Sequence, residues 1–138
     1  MVDKETIARR LAVLHDALAD LRRYRARFDA KALQADRDAQ HMVLHALYVA
    51  AQAAIDLALH AAADAEQPAA TTYQEAFERL AAAGRIDQAL ATRLMGWAGL
   101  RNVLAHHYAT IDYARIAATL ANELPDLEQF AAVVGGWS

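Results

Sequence analysis

The sequence predicts an all-α protein, an up-and-down bundle of about five helices forming a single domain over residues 1–138. Three observations lead there. The 138 residues are 57% hydrophobic, alanine foremost, with five glycines and two prolines. That composition favours helix, because Ala has the highest intrinsic propensity and the breakers are scarce. Apolar residues recur at three- and four-residue spacing nearly throughout, and no alternating β-branched run is long enough for a strand. The length suffices for one core, and no linker, repeat or compositional break divides it.

The first helix is predicted from about Asp3 to Phe28, with Ile7, Leu11, Leu14, Leu18 and Leu21 as its apolar stripe. A second, long helix starts between Leu33 and Asp38 and ends before Pro68, with Leu44, Leu47, Ala51, Ile55 and Leu59 facing inward. After the loop EQPAAT, Thr72-Tyr-Gln-Glu75 reads as a capping box opening a short helix that Gly84 stops. Asp87 caps a fourth helix, DQALATRLMGWAGLRNVLAHH, and Asp112 caps a fifth, DYARIAATLANEL. Pro125 either kinks that helix or starts another turn, and the tail VVGGWS is expected to fray.

Several functions are excluded or weakened. With no cysteine there are no disulfides and no thiolate chemistry, which is compatible with a reducing cytoplasm. The opening MVDKETIARR carries both charge signs and no apolar run, so it does not read as a signal peptide. Residues 42–63 are as long as a membrane span, but His45, Gln52, Asp56 and His60 interrupt them; a buried central helix of a soluble bundle is expected, not a membrane segment. A net charge of −3 argues against a generic nucleic-acid coat. The basic run Arg22, Arg23, Arg25 and Arg27 either meets phosphates or forms a solvated helix face. His41 and His45 are four apart, a spacing that can hold zinc, but no third ligand is evident; no metal is expected, and the pair reads as a surface or interface feature. Asp56 has apolar neighbours on both sides and needs a partner if buried, either Arg101 or a local cap.

The densest chemistry lies in residues 101–108, Arg-Asn-Val-Leu-Ala-His-His-Tyr. Each polar side chain there is costly to bury unpartnered. At about 100° per residue, Arg101 and Tyr108 share a face, while His106 lies about 140° round from Arg101. A helix that loosens after His106 narrows that gap and leaves the imidazole at a helix C-terminus, the end that favours a cation.

Arg101-x4-His106-x-Tyr108, with Asn102 after the arginine, resembles the signature of HepT-type toxins of the HEPN superfamily. AAIDLALH (53–60), TYQEAFERL (72–80) and ELPDLEQF (123–130) resemble that family's second-helix, third-helix and C-terminal segments, in the same order. One departure is that His45 and Gln52 stand where the family often carries an Arg and a Glu. The resemblance implies a homodimer with two copies of the motif facing one cleft. It implies a metal-independent, cofactor-free ribonuclease acting on mRNA or tRNA in a bacterial or archaeal cytoplasm. It also implies a minimal nucleotidyltransferase partner, the antitoxin, which adenylylates Tyr108. The alternative is a non-catalytic HEPN dimer that binds nucleotide or protein and keeps the motif for packing.

The residue types fit the first reading. Cleaving RNA without metal needs a base for the 2′-hydroxyl and positive charge for the transition state. Histidine, ordinarily titrating at about 6.5, suits proton transfer, which His106 is expected to perform. Arginine, always charged and fork-shaped, suits the phosphate, the role expected of Arg101. Asn102 is expected to orient one of them or the substrate, and Asp56 is a candidate support. The apolar excess of the second and fourth helices, too large for one bundle to cover, is the sequence's own argument for a homodimer.

Overall fold

The computed structural model describes residues 3–62 and 70–137. Among them are seven α-helices, a short 3₁₀ turn at 108–110 and no strand. The helices are α1 (Lys4–Arg27), α2 (Ala30–Ala35), α3 (Arg37–Ala62), α4 (Tyr73–Ala82), α5 (Gln88–His106), α6 (Tyr113–Asn122) and α7 (Leu124–Gly135). The predicted all-α bundle therefore forms, with two helices more than expected.

The first addition, α2, and the start of α3 arise from short start signals. Phe28 leaves helical geometry, and the Asp29 carboxylate accepts the Ala32 N–H at 2.8 Å to open α2. Asp36 breaks the chain again and accepts from Asp38 and Ala39, at 2.9 and 3.3 Å, to open α3. Each cap satisfies an N–H that a helix start leaves bare, worth about 1 kcal/mol. Pro125 does not kink the fifth predicted helix. It sits in the first turn of a separate α7, where a missing N–H is harmless.

The tail is also more ordered than expected. Val133, Val134 and Gly135 belong to α7, and the Trp137 ring lies edge-on to Phe130, with centroids 6.2 Å apart. Most of the predicted EQPAAT loop lies outside the described residues. The capping box is displaced by one position. Thr72 accepts the Glu75 N–H at 3.1 Å, but the Glu75 carboxylate reaches back to the Thr71 N–H and hydroxyl, at 2.6 and 2.8 Å. Those two bonds, the backbone one foremost, hold the Glu75 carboxyl below its ordinary pKa. Gly84, at φ +74°, ends α4 in a Schellman turn, with Gly84 N–H bonding Ala81 and Arg85 N–H bonding Leu80.

α3 is the central element. Leu47, Ala50, Ala51, Ala54, Ile55, Leu57 and Ala58 are fully buried, and α1, α4 and α5 pack against them. This helix is long and apolar enough to cross a membrane, but most of its apolar surface is covered inside the bundle, as expected. Its alanines let neighbouring helices approach closely. The expected apolar excess on α3 and α5 does not appear. Among the described residues only Val13 and Tyr108 are large hydrophobics left exposed. One chain covers its own core, so that argument for a dimer falls away.

Candidate functional site

Arg101 projects from α5 toward α3 and α4. Its Nε–H donates to Gln52 Oε1 at 2.7 Å, and Nη1 donates to the neighbouring Asn102 Oδ1 at 3.3 Å. The guanidinium carbon lies 5.0 Å from the Tyr73 ring centroid and 5.6 Å from that of Tyr48. A ring contact of this kind is worth about 0.5–2 kcal/mol, and a hydrogen bond to a charged group about 1.5–3 kcal/mol. The half-buried side chain is therefore held in place. Its partners are all neutral, and no carboxylate among the described residues pairs with it. The positive charge stays uncancelled.

Gln52 orients this arrangement. Its Nε2 donates to Asp56 Oδ1 at 2.9 Å, and Asp56 Oδ2 pairs with Arg10 of α1 at 3.2 Å. An acceptor on one side and a donor on the other leave the amide one orientation. Asp56 thus meets neither of its expected partners directly. It pairs with Arg10 and reaches Arg101 only through Gln52. Both ends of that ion pair are partly solvated, at 43% and 33% exposed, so its own contribution is at most about 1 kcal/mol.

Tyr48, Gln52 and Tyr73 are contacts that sequence reasoning missed. Tyr48, Gln52 and Asp56 stand at i, i+4 and i+8 on α3, a polar stripe on an otherwise apolar helix that could have been noticed. Nothing in the sequence places Tyr73 over Arg101, because α4 reaches it only through the fold.

The other end of the motif is bare. α5 remains regular through His106; His107, at φ −126° and ψ 35°, then leaves helical geometry while its N–H bonds Val103 O at 2.8 Å. The loosening thus comes where it was expected, after His106, but it does not bring the imidazole to Arg101. No hydrogen bond or ion pair joins the two. His106, His107 and Tyr108 are all exposed, Tyr108 by 52%.

Tyr108 and Leu104 form one side of an open cavity of about 220 Å³, and His41, Leu44, His45 and Tyr48 of α3 form the other. The two histidines therefore face the motif. Among the described residues no three His, Asp or Glu side chains gather as metal ligands. The basic run of α1 is partly paired, Arg22 with Glu128 at 3.0 Å and Arg23 with Asp20 at 2.7 Å, while Arg27 covers the Phe28 ring. All four arginines are exposed.

The family described as Ribonuclease HepT-like matches residues 14–134, which take in the whole 101–108 cluster with Tyr48, Gln52 and Tyr73. The chain belongs to this family. Solved structures agree on the HepT-like fold. A crystal structure of a toxin–antitoxin with AMP-PNP superposes with a TM-score of 0.87 at 22% identity, covering 97% of this chain and 100% of that one. A tri-AMPylated Shewanella oneidensis HEPN toxin in complex with an MNT antitoxin gives 0.87 at 23% identity, covering 98% and 100%. The cytosolic protein YutE of Bacillus subtilis, of unknown function, gives 0.83 at 13% identity, covering 97% and 89%. By sequence, no curated protein matches the chain.

Proposed function

We propose that this chain is the toxin of a HEPN/nucleotidyltransferase toxin–antitoxin pair. In this reading it is a metal-independent, cofactor-free endoribonuclease, one domain over 1–138, acting on mRNA or tRNA in the cytoplasm. The observation that carries the proposal is the Arg101 guanidinium, clamped by Gln52 and two tyrosine rings yet left with its charge uncancelled. A preorganised, unpaired cation is what a phosphoryl transition state requires, and it needs no rearrangement to act.

The chemistry then runs through O2′. His106 takes the 2′-hydroxyl proton, O2′ attacks phosphorus, and the P–O5′ bond breaks; the leaving O5′ takes a proton from water, which gives a cyclic phosphate and a 5′-hydroxyl. Arg101 balances charge on the non-bridging oxygens, and Asn102, bonded to Arg101, holds that fork in plane. Within one chain Arg101 and His106 diverge, so a homodimer in which two motifs share one cleft supplies the opposing imidazole. Asp56 supports the site through Gln52. Tyr108, the exposed phenol two residues from His106, suits adenylylation by the partner. Its oxygen attacks the α-phosphorus of ATP, pyrophosphate leaves, and the phenol proton passes to solvent. The new phosphodiester then competes for Arg101.

The test is cleavage of a defined RNA by purified protein with EDTA present, beside light scattering. Cyclic-phosphate ends without metal and a mass of two chains are expected. Intact RNA would return the chain to the non-catalytic binding-module reading, and a single-chain mass would remove the shared cleft.

A further inference from the structure

We infer that the cavity between α3 and Tyr108 is a nucleobase site, in which His41, His45 and Tyr48 stack the base of an RNA nucleotide whose phosphate lies on Arg101. The inference rests on the ribonuclease reading and adds a base-binding subsite to it. The cavity has an apolar floor, Leu44 and Leu104, which are 3% and 6% exposed. Its walls are the imidazoles of His41 and His45 and the phenol rings of Tyr48 and Tyr108. Among the described residues no acidic side chain lines it. Flat rings around a small apolar floor are how proteins hold unstacked bases of single-stranded RNA, and histidine serves as such a ring.

Size and position point the same way. At about 220 Å³ the cavity falls below the roughly 300–1,000 Å³ of sites for larger ligands, so it suits one flat ring system rather than a side-chain-rich peptide. Tyr48 belongs to both neighbourhoods, since its ring lines the cavity and stands 5.6 Å from the Arg101 guanidinium carbon. A nucleotide joins a phosphate and a base through one sugar, and this shared ring joins an anion site to a stacking site over a similarly short reach. His41 and His45, one helical turn apart and exposed on α3, have no hydrogen bond or ion pair with a described residue.

The test compares the full-length wild type with His41→Ala, His45→Ala and the double variant, beside His41→Phe and His45→Phe. Two measurements are made: steady-state cleavage of a short RNA, and fluorescence anisotropy of a non-cleavable 2′-O-methyl RNA. Loss of stacking should raise KM and weaken oligonucleotide binding about five- to tenfold per alanine, with kcat unchanged and the phenylalanine variants recovering wild-type values. Unchanged binding, a fall in kcat alone, or failure of phenylalanine to rescue would overturn the site. So would a change of mass by light scattering, which would make these histidines contacts between copies. If the wild type binds the oligonucleotide through these residues yet cleaves no RNA, the base site stands and only the ribonuclease reading falls.

Discussion

Four residues separate Arg101 from His106 on one helix, yet the two occupy opposite settings. Arg101 is clamped by α3 and α4, with Gln52 on Nε, tyrosine rings close by, and a relay through Asp56 to Arg10 on α1. His106 stands in the last turn of α5, exposed and without such a clamp. The contrast shows that one half of the motif is held by the fold, while the other is left open to solvent. A permanent cation benefits from being fixed in advance, because its task is electrostatic. A proton-transfer group must meet its substrate, and it gains nothing from a partner that occupies its nitrogens.

The sharpest way to break that comparison is to remove the bare end. His106→Ala should lower RNA cleavage about 10²- to 10⁴-fold while leaving the melting temperature unchanged, because the side chain is exposed. A variant that cleaves at the wild-type rate would end the proton-transfer assignment. Arg101→Lys should lose about 10²-fold as well, but with a measurably lower melting temperature, since an ammonium reproduces neither the Nε bond to Gln52 nor the flat face between the rings.

Tyr108→Phe separates modification from catalysis. It should cleave RNA within about twofold of wild type, since an exposed hydroxyl is all that is lost. With the partner and ATP present it should gain no mass by intact-mass spectrometry and stay active, whereas wild type gains mass and is silenced. Full silencing of an unmodified wild type would mean that the partner merely covers the site.

A smaller effect sharpens the clamp itself. Gln52→Leu removes the acceptor for Arg101 and the donor to Asp56, and should cost about 1 kcal/mol by denaturant titration with about a tenfold fall in kcat/KM. A stability loss without any kinetic change would make Gln52 a packing residue. The smallest effect lies away from the motif. Because the Thr71 N–H and hydroxyl hold the Glu75 carboxyl below its ordinary value of 4.5, its contribution is present above that value and is lost as pH falls through the lower folded one. Glu75→Gln should therefore flatten acid destabilisation in that window and leave the neutral-pH motif untouched. Identical acid profiles for the two proteins would exclude the Thr71 contacts.

Much of this molecule was legible before any coordinates. Periodicity located α1, α3 and α5, and the start signals at Thr72, Asp87 and Asp112 all proved to be caps. Asp36 opens α3 inside the expected window of Leu33 to Asp38, but Asp29 carries the same chemistry and went unnoticed, since α2 is short and has no long apolar stripe to frame it. Pro125 was ambiguous because one proline fits both a kink and a first turn, and only the packing of Leu124, Leu127 and Phe130 into the core decided for a separate helix.

The site divides along a similar line. The 101–108 spacing, the break after His106 and the exposure of the helix end follow from local helix geometry, which the sequence by itself determines. The partners of Arg101 do not. Gln52 is 49 residues away along the chain, and Tyr73 lies on a separate helix whose own signals say nothing of α5; they meet because the buried faces of α3, α4 and α5 must close on one another. Likewise, alanine content alone indicated an uncovered apolar surface, whereas in three dimensions those small side chains draw the helices close enough to cover it within one chain. Hydrogen-bonded turns are short-range and readable one at a time; burial is a collective property, and it decided where the charge of Arg101 is held and which rings surround it.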